Sequence, residues 1–282
     1  MTVVSRFAPS PTGFLHLGHA YSAMFAYEQA QRTNGRFLLR IEDIDQGRSR
    51  KEFELQIIDD LGWLGLKWPT PVRLQSKHFD DYKAALDTLI SMGLVYPCFC
   101  TRKDIQSEIQ AAGGAPHGPD GLVYPGTCRN LSNDERSSAI NDRQAHAYRL
   151  DIKKACMSAR PLVWQDVAAG RVNAHPERFG DIVIARKETP TSYHLAMVVD
   201  DHLQKISLVT RGQDLFESTD IHRLLQKLLN LNVPQYHHHP LVIDKDGNRL
   251  AKRNDSLSIK ELRQSGATLE DIRTKISEGL HD

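Results

Sequence analysis

Two patterns of apolar and polar positions occur along about the first forty residues. Residues 3–7 and 37–41 are short apolar runs of the kind that form buried strands. Between them, apolar side chains recur at helical spacing over 17–32, and an Asn-Gly pair at 34–35 supplies a turn where that helix ends. The order strand, helix, strand predicts a βαβ unit with parallel strands, whose ligands bind at the carboxyl ends of those strands.

Apolar runs of the same kind return later in the chain. They lie at 181–185, 196–199 and 206–211, which predicts further parallel strands. A helix is predicted over 218–229, with Ser218 as its N-cap. The pattern as a whole therefore indicates an α/β fold.

The segment between the two groups of strands has a different character. Helical stretches surround a region rich in glycine and proline at 111–126, which predicts an inserted subdomain. We therefore expect a nucleotide-binding core at 1–75 and 180–255, the insertion at 76–179, and a polar helical C-terminal appendage at 256–282.

The composition is that of an ordinary globular protein. Hydrophobic residues make up 40% and charged residues 25% of the 282 positions, and the formal net charge is +1. No apolar run approaches the roughly 18 to 20 residues that span a bilayer, and the N-terminus lacks the pattern of a secretory signal. We expect a cytoplasmic monomer with no membrane partner, in which any basic surface for nucleic acid is local.

The densest group of polar side chains lies between the first strand and the first helix. It reads Arg6-Phe7-Ala8-Pro9-Ser10-Pro11-Thr12-Gly13 and then His16-Leu17-Gly18-His19. A helix N-terminus favours phosphate because its N–H groups are free and its dipole is positive there. His16 and His19 lie on one helical face and would donate to phosphate oxygens, whereas in isolation they would be ordinary residues of a helix start.

These blocks resemble the HIGH signature of class I aminoacyl-tRNA synthetases, and the R-F-A-P-S-P-T-G lead resembles their glutamyl and glutaminyl branch. The second class I signature, K-M-S-K-S, is similar to Arg249-Leu250-Ala251-Lys252-Arg253, which departs from it at Arg249 and Ala251. Further similarity to the branch lies in Arg40-Ile41-Glu42-Asp43-Ile44-Asp45, in Ser192 to Ala196 with Val199 to His202, and in Thr210 to Leu215. The resemblance implies a Rossmann-like parallel sheet with a zinc-bearing α+β insertion and a short helical appendage.

The resemblance also implies that L-glutamate is activated by ATP as glutamyl-adenylate. It assigns the side-chain carboxylate of glutamate to the arginines Arg6 and Arg211, because a fixed guanidinium pairs well with a carboxylate. It assigns the ammonium group to Glu42 and the closing of the pocket to Tyr193. The other glutamate contacts that it implies are Phe7, Ala8, Pro9 and Ser10.

ATP, accompanied by Mg²⁺, is the second substrate that the resemblance implies. Its contacts would be His16, Gly18, His19 and Lys252, and His16, His19 and Lys252 would stabilise charge on the phosphates during the reaction. Three consecutive histidines at 237–239 lie on a predicted strand, where neighbours point to opposite faces. We therefore expect them to line the adenine side of the site rather than to bind a metal.

Three cysteines are spaced as metal ligands. Cys98-x-Cys100 is followed by Tyr124-x-x-x-Cys128, and three thiolates suit a structural tetrahedral zinc ion. For the fourth ligand, chemistry favours His117, whereas the resemblance to a zinc-containing subgroup of the branch implies Tyr124. The alternative is three reduced cysteines with no metal.

The acceptor of the glutamate is the last inference. A glutamyl-tRNA synthetase continues past its second signature into an anticodon-binding domain, whereas this sequence ends about thirty residues after Arg253. Paralogues without that domain, the glutamyl-Q tRNA(Asp) synthetases, attach glutamate to queuosine in the anticodon of tRNA(Asp), and the resemblance implies this partner. The alternatives are a truncated synthetase that charges the terminal ribose of tRNA(Glu), a nucleotidyltransferase with the same helix start, and an inactive binding protein.

Overall fold

Helices and strands alternate along the chain in the described residues, which are 2–111, 116–243 and 257–280 of this computed structural model. The helices are α1 (Leu17–Gln31), α2 (Lys51–Trp63), α3 (Phe79–Ser91), α4 (Arg102–Ala111), α5 (Asn133–Asn141), α6 (Ile152–Ala159), α7 (Tyr193–Leu203), α8 (Ser218–Leu228), α9 (Ile259–Gln264) and α10 (Leu269–Glu278). The strands are β1 (Val4–Phe7), β2 (Arg36–Ile41), β3 (Arg73–Leu74), β4 (Val95–Cys98), β5 (His117–Gly118), β6 (Gly121–Leu122), β7 (Ala147–Leu150), β8 (Val163–Asp166), β9 (Gly170–Asn173), β10 (Val183–Ala185), β11 (Leu208–Gly212) and β12 (Gln235–His239).

The core sheet consists of two hydrogen-bonded groups of strands, β3-β2-β1 and β11-β12-β8-β9. Their pairs are parallel except β8 with β9. β1 lies beside β11. The amide of Ser207, directly before β11, donates to the Val4 carbonyl oxygen of β1 at 3.0 Å. After β1 the chain continues to β2 on one side of this pair, and after β11 it continues to β12 on the other side. The carboxyl ends of β1 and β11 therefore form a topological switch point.

The predicted βαβ unit is confirmed, and small side chains explain how closely its helix packs. Ala20, Ala23, Ala26 and Ala30 are buried on the inner face of α1. The Ser5 hydroxyl of β1 donates to the Ala26 carbonyl oxygen at 2.7 Å, so the backbone of the helix lies in direct contact with the strand. The middle of α1 is therefore held directly against β1.

Two predictions about the segments around α7 and α8 are wrong. Residues 196–199 lie in the helix α7 and not in a strand, because a short apolar run has the same appearance in a strand and in a fully buried helix. Residues 195–201 are buried on all sides of α7, whose N-cap Ser192 accepts from the Leu195 amide. Ser218 is the first residue of α8 rather than its N-cap, which is Glu217, reached from a 3₁₀ turn.

The insertion contains a separate antiparallel sheet with the order β10-β7-β4. Residues 183–185, expected among the parallel strands, are an edge of this sheet. Residues 163–173, expected in the insertion, instead extend the core sheet, where Asp166 pairs with Tyr236 and the Val167 amide donates to the Tyr236 carbonyl oxygen at 2.8 Å. The chain therefore returns to the core earlier than the composition suggested.

The C-terminal helices α9 and α10 complete the core around α1. Ile259 and Ile272 are fully buried in the same cluster as the alanines of α1. The Ile259 amide donates to the Leu15 carbonyl oxygen at 2.8 Å, directly before the first helix. No helix in the described part of the chain is long and apolar enough to cross a membrane.

Candidate active site

A cavity of about 490 Å³ opens at the switch point between β1 and β11. It brings together every described residue that the sequence assigned to glutamate or ATP. These residues are Arg6, Phe7, Ala8, Pro9, Ser10, His16, Gly18, His19, Glu42, Tyr193 and Arg211. The remaining predicted residue, Lys252, lies outside the described residues, as do Arg249 and Ala251.

The two histidines of the first signature cap the helix that they begin. Nδ1 of His16 accepts from the Gly18 amide at 3.2 Å, and Nδ1 of His19 accepts from the His16 amide at 3.3 Å. Since each Nδ1 is an acceptor, the proton of each neutral ring is on Nε2. The helix N-terminus thus presents two imidazole N–H donors beside its own positive dipole.

Arg6 is held in a buried network of balanced charge. Its Nε is 3.0 Å from Oδ1 of Asp201, which also lies 2.7 Å from Nη1 of Arg40. Nη2 of Arg40 lies 3.1 Å from Oε1 of Glu42. Nε of Arg40 also lies 3.6 Å from Oδ2 of Asp200, which pairs with Arg73 at 2.7 Å, so three guanidinium groups share three carboxylates in this network.

The surroundings set the pKa values of these two carboxyl groups in opposite directions. Burial raises the pKa of Glu42, against the lowering influence of the Arg40 guanidinium. Burial acts on Asp201 in the same sense, but Arg6 and Arg40 together hold the pKa of Asp201 below its usual value. Asp201 is accordingly the ionised counterion of Arg6 and Arg40. Glu42 is a carboxylate at the cavity wall that a ligand cation would stabilise.

Arg211, by contrast, has no carboxylate partner among the described residues. Its Nε donates to Nε2 of His238 at 3.1 Å, its Nη1 to Nδ1 of His222 at 3.1 Å, and its Nη2 to the Thr219 hydroxyl at 2.5 Å. Burial and the Arg211 charge lower the pKa of His238 to about 4 and that of His222 well below its ordinary value. Both rings are neutral acceptors, so the positive charge of Arg211 faces the cavity uncompensated.

His238 and Asp166 are in close contact without forming an ion pair. Nδ1 of His238 is 2.7 Å from Oδ2 of Asp166, which suggests a charged pair by distance alone. Because Nε2 accepts from Arg211, the single ring proton must be on Nδ1, where it is donated to Asp166. The contact is therefore a neutral imidazole bound to a carboxylate.

Tyr193 lies at the start of α7, on the wall between Glu42 and Arg211. Burial raises the pKa of its hydroxyl, so the phenol stays protonated and can donate to an anion. Its ring contacts the ring of His222 edge to face, with the centroids 5.6 Å apart. The cavity thus offers an anionic wall at Glu42 and a cationic wall at Arg211, which matches a small zwitterion with a second carboxylate.

The three cysteines of the insertion form a separate cluster. The Sγ atoms of Cys98, Cys100 and Cys128 lie within 4.8 Å of one another, and the Tyr124 hydroxyl is 3.4 Å from both Cys98 and Cys100. A tetrahedral zinc ion with ligand distances of about 2.0 to 2.3 Å would separate its ligands by roughly 3.5 to 3.8 Å. His117 is exposed on β5, and within the described part of the chain it does not belong to this cysteine cluster.

The geometry of the cavity agrees with the relationship of the whole chain to known proteins. Residues 2–277 match the family model for the catalytic domain of class I tRNA synthetases, E and Q. The chain belongs to this synthetase family. It is a ligase of the aminoacyl-tRNA class, and the class I parallel sheet accounts for the position of the cavity.

Relatives of two kinds resemble this synthetase. A "Glutamyl-Q tRNA(Asp) synthetase" of Rhodobacter capsulatus is 46% identical and matches 97% of the chain over 99% of its own length. A "Glutamate--tRNA ligase" of Aquifex aeolicus is 38% identical, and the match spans 94% of the chain but only 54% of that relative. A crystal structure of a glutamate tRNA ligase from Elizabethkingia meningosepticum in complex with its amino acid is similar with a TM-score of 0.74 at 26% identity, again covering 95% of the chain and 54% of the other.

Several residues of the synthetase site carry no role in the sequence prediction. Thr219 and His222 reach Arg211 from α8, about ten residues further along the chain, and no local pattern marks them as site residues. Asp201 enters the sequence prediction only within the segment 199–202, although an acidic pair after an apolar run signals a buried counterion. Of the three histidines, His239 lines the cavity and lies 3.0 Å from the Ser22 hydroxyl of α1.

The neutral state of His238 predicts a loss of stability in acid. In the unfolded chain this ring takes up a proton below a pKa of about 6.5, whereas in the folded protein it does so only near pH 4. The free energy of unfolding should therefore fall as the pH decreases through this window, and His238 should contribute about 2 kcal/mol of the loss between pH 7 and pH 5. Urea denaturation of the wild type and of His238→Gln measures this, and equal pH slopes for the two proteins would contradict it.

Proposed function

We propose that this synthetase activates L-glutamate as glutamyl-adenylate and transfers the glutamyl group to the queuosine base of tRNA(Asp). The observation that carries the first half is the uncompensated charge of Arg211 opposite Glu42 in one cavity. A buried cation whose partners are all neutral gains most from an anionic ligand, because no carboxylate of the protein competes for it.

Glutamate fits this cavity because each of its charged groups would meet a wall of opposite charge. We assign its side-chain carboxylate to Arg211 and the Tyr193 hydroxyl, and its ammonium group to Glu42. Arg6 also lines the cavity, but because Asp201 neutralises it, we assign it a smaller share of the attraction for the substrate. Phe7, Ala8, Pro9 and Ser10 form the adjoining wall.

ATP would lie across the start of α1 with Mg²⁺ on its phosphates. The imidazole donors of His16 and His19, together with the close backbone at Gly18, suit the α- and β-phosphate oxygens. Lys252 is assigned to the same phosphates from the sequence. The glutamate α-carboxylate attacks the α-phosphorus and pyrophosphate leaves, so the protein's task is alignment and stabilisation of charge.

Support for the acceptor comes from the names of the relatives. Glutamyl-Q tRNA(Asp) synthetases of Rhodobacter capsulatus and Symbiobacterium thermophilum are 46% and 39% identical and match nearly the whole chain. Transfer to the terminal ribose of tRNA(Glu) is the second candidate, because relatives named glutamate--tRNA ligase are 36–38% identical in three other organisms.

The two acceptors are separated by mapping the position of labelled glutamate. With ATP and tRNA(Asp) that contains queuosine, the label should be found on the anticodon nucleotide after nuclease digestion, and queuosine-free tRNA(Asp) should stay unlabelled. Arg211→Gln should reduce labelling by at least about a hundredfold through loss of a charged contact, whereas Arg48→Gln, at an exposed position, serves as the control. Label at the 3′ end of tRNA(Glu) would instead identify the second candidate.

A groove of about 620 Å³ in the insertion supports contact with RNA. His146 and Tyr148 line the groove with their ring centroids 5.1 Å apart, and the ring of Phe99, outside the lining, lies 5.4 Å from that of His146. Arg143 and Lys187 also line the groove. Aromatic rings on a sheet beside cations are the usual platform for unpaired bases and their phosphates.

The groove and the cysteine cluster occupy opposite faces of the same sheet. On β7, Tyr148 points into the groove, whereas its neighbour Arg149 points to the cysteines, with its guanidinium 3.9 Å from the centre of the Tyr124 ring. Successive strand residues alternate in this way. Residues 186–190 line the groove and continue directly into Tyr193, so an RNA segment bound there lies one short loop away from the catalytic cavity.

We predict that the groove affects tRNA and not the activation of glutamate. His146→Ala combined with Tyr148→Ala should raise the KM for tRNA about tenfold, since stacking of a base contributes about 1 to 3 kcal/mol. Tyr148→Phe keeps the ring and should stay within twofold of the wild type. Glutamate-dependent pyrophosphate exchange checks that the fold is intact, and an unchanged KM for tRNA in the double variant would exclude RNA from this groove.

We also propose that Cys98, Cys100, Tyr124 and Cys128 hold one structural zinc ion. The contacts of 3.4 Å from Tyr124 to two sulfurs, and of 3.4 Å between Cys100 and Cys128, are close to ligand spacings around a tetrahedral ion. Burial raises the pKa of the Cys100 thiol to about 12, so a divalent cation is needed to make this thiol a thiolate. The ion would tie the end of β4 to the segment at 124–128.

Metal analysis tests the zinc proposal. Protein purified without chelators should contain about one equivalent of zinc, and Cys128→Ser should lose it, because a three-ligand site binds far more weakly. Cys156→Ser is the matched control, since Cys156 is a buried cysteine outside the cluster. His117→Ala should keep the metal, and less than a tenth of an equivalent in the wild type would contradict the proposal.

A further inference from the structure

Two hydrogen bonds and one longer polar contact form a series from Arg211 to the surface of the insertion. Nη1 of Arg211 is 3.1 Å from Nδ1 of His222, and Nε2 of His222 is 3.1 Å from Nδ1 of His194. Nε2 of His194 then lies 3.5 Å from Oδ2 of Asp120, in the turn between β5 and β6. Asp120 is 53% exposed, so the series links the buried Arg211 guanidinium of the cavity to solvent.

The proton positions in this series follow from its two ends. Arg211 can only donate, so Nδ1 of His222 must accept, and the proton of that ring is on Nε2. That N–H donates to Nδ1 of His194, which places the second ring proton on Nε2, directed at Asp120. A carboxylate can only accept, so both ends require the same pair of tautomers, and each bond polarises the next.

The hairpin that carries Asp120 is fixed by close backbone contact. At Gly118, a β-carbon would lie 2.5 Å from the Arg178 carbonyl oxygen, so only glycine allows this approach. At Gly180, where φ is +64°, a β-carbon would lie 2.4 Å from the Val123 side chain. The hairpin therefore rests directly on the chain segment next to the core, which keeps Asp120 opposite His194.

We infer that His222, His194 and Asp120 are positioning residues that fix the Arg211 guanidinium for the substrate carboxylate. The inference rests on the proposed glutamate-activating function and adds a remote component to it. An acceptor at position 120 maintains the one tautomer pair in which His222 accepts from Arg211. A donor at position 120 favours the reversed pair, in which the Nδ1–H of His222 faces a guanidinium N–H.

Substitutions at the exposed end test the series without disturbing the core. Asp120→Asn keeps an acceptor oxygen and should leave the KM for glutamate within twofold of the wild type. Asp120→Lys replaces the acceptor by a donor and should raise that KM about fivefold, the effect of one net hydrogen bond. The KM for ATP and kcat in pyrophosphate exchange, with tRNA in every reaction, should change less than twofold, because glutamate binding alone is affected.

Two controls make the result specific. Asp134→Lys, at an exposed position of α5, makes the same change of charge in the insertion and should have no effect on the KM for glutamate. His194→Ala should match Asp120→Lys, and combining the two should give no further increase, because both interrupt the same series. Equal KM values for Asp120→Asn, Asp120→Lys and Asp134→Lys would overturn the inference.

A spectroscopic measurement separates this inference from the proposed function. In nitrogen-15 spectra of the histidine rings, His222 and His194 should both show the Nε2–H tautomer, and Asp120→Lys should reduce that population at His194. Loss of the effect in the spectra would refute the series even if the enzyme activates glutamate. Absence of glutamate-dependent exchange in the wild type would refute the proposed function while the tautomers still test the series.

Discussion

The constraint on which the rest of the structure depends is the need to neutralise charges buried beneath the cavity. Arg40 is completely buried, and its guanidinium contacts Asp201, Glu42 and, at 3.6 Å, Asp200. Moving such a group out of water costs several kcal/mol unless its partners are placed precisely enough to recover that energy. Because Arg40 lies on β2 and its partners Asp200 and Asp201 lie on α7, the network fixes the helix relative to the sheet. The floor of the cavity is in this way determined by electrostatics as well as by apolar packing.

Arg211 shows the opposite arrangement on the facing wall. Its partners Thr219, His222 and His238 satisfy the directions of its hydrogen bonds but do not cancel its charge. An imbalance of this kind lowers the stability of the free protein and is offset when an anion binds. One cavity therefore combines Arg6, which pairs with a carboxylate, with Arg211, whose direct partners are all neutral.

The sequence predicted the βαβ unit and the cavity residues well, because both depend on local pattern. Loop residues 6–13 and the helix start at His16 are adjacent in sequence, and their geometry follows from the turn and the cap. Family resemblance added Glu42, Tyr193 and Arg211, which meet only in the folded chain. All of these residues line the cavity, whereas their chemical roles stay predictions.

What the sequence did not predict depends on contacts between distant segments. The buried run at 196–199 was assigned to a strand because periodicity disappears when every side of a helix is covered. Strand β8 joins the core sheet through Tyr236, about seventy residues away, which no local signal indicates. The same is true of His222, whose importance comes from contacting Arg211 across the base of the cavity and not from any motif.

The alanine face of α1 limits how this scaffold can diversify. With Ala20, Ala23 and Ala26 pressed against the sheet, no added methyl group fits on that side without displacing the helix start. The half of the cavity beside α1 is therefore constrained by the packing of this helix. The opposite wall leaves more room for substitution, because Thr219, His222 and His238 contact Arg211 through side-chain atoms. One half of the pocket is therefore constrained by helix packing, and the other half by the hydrogen bonds around one arginine.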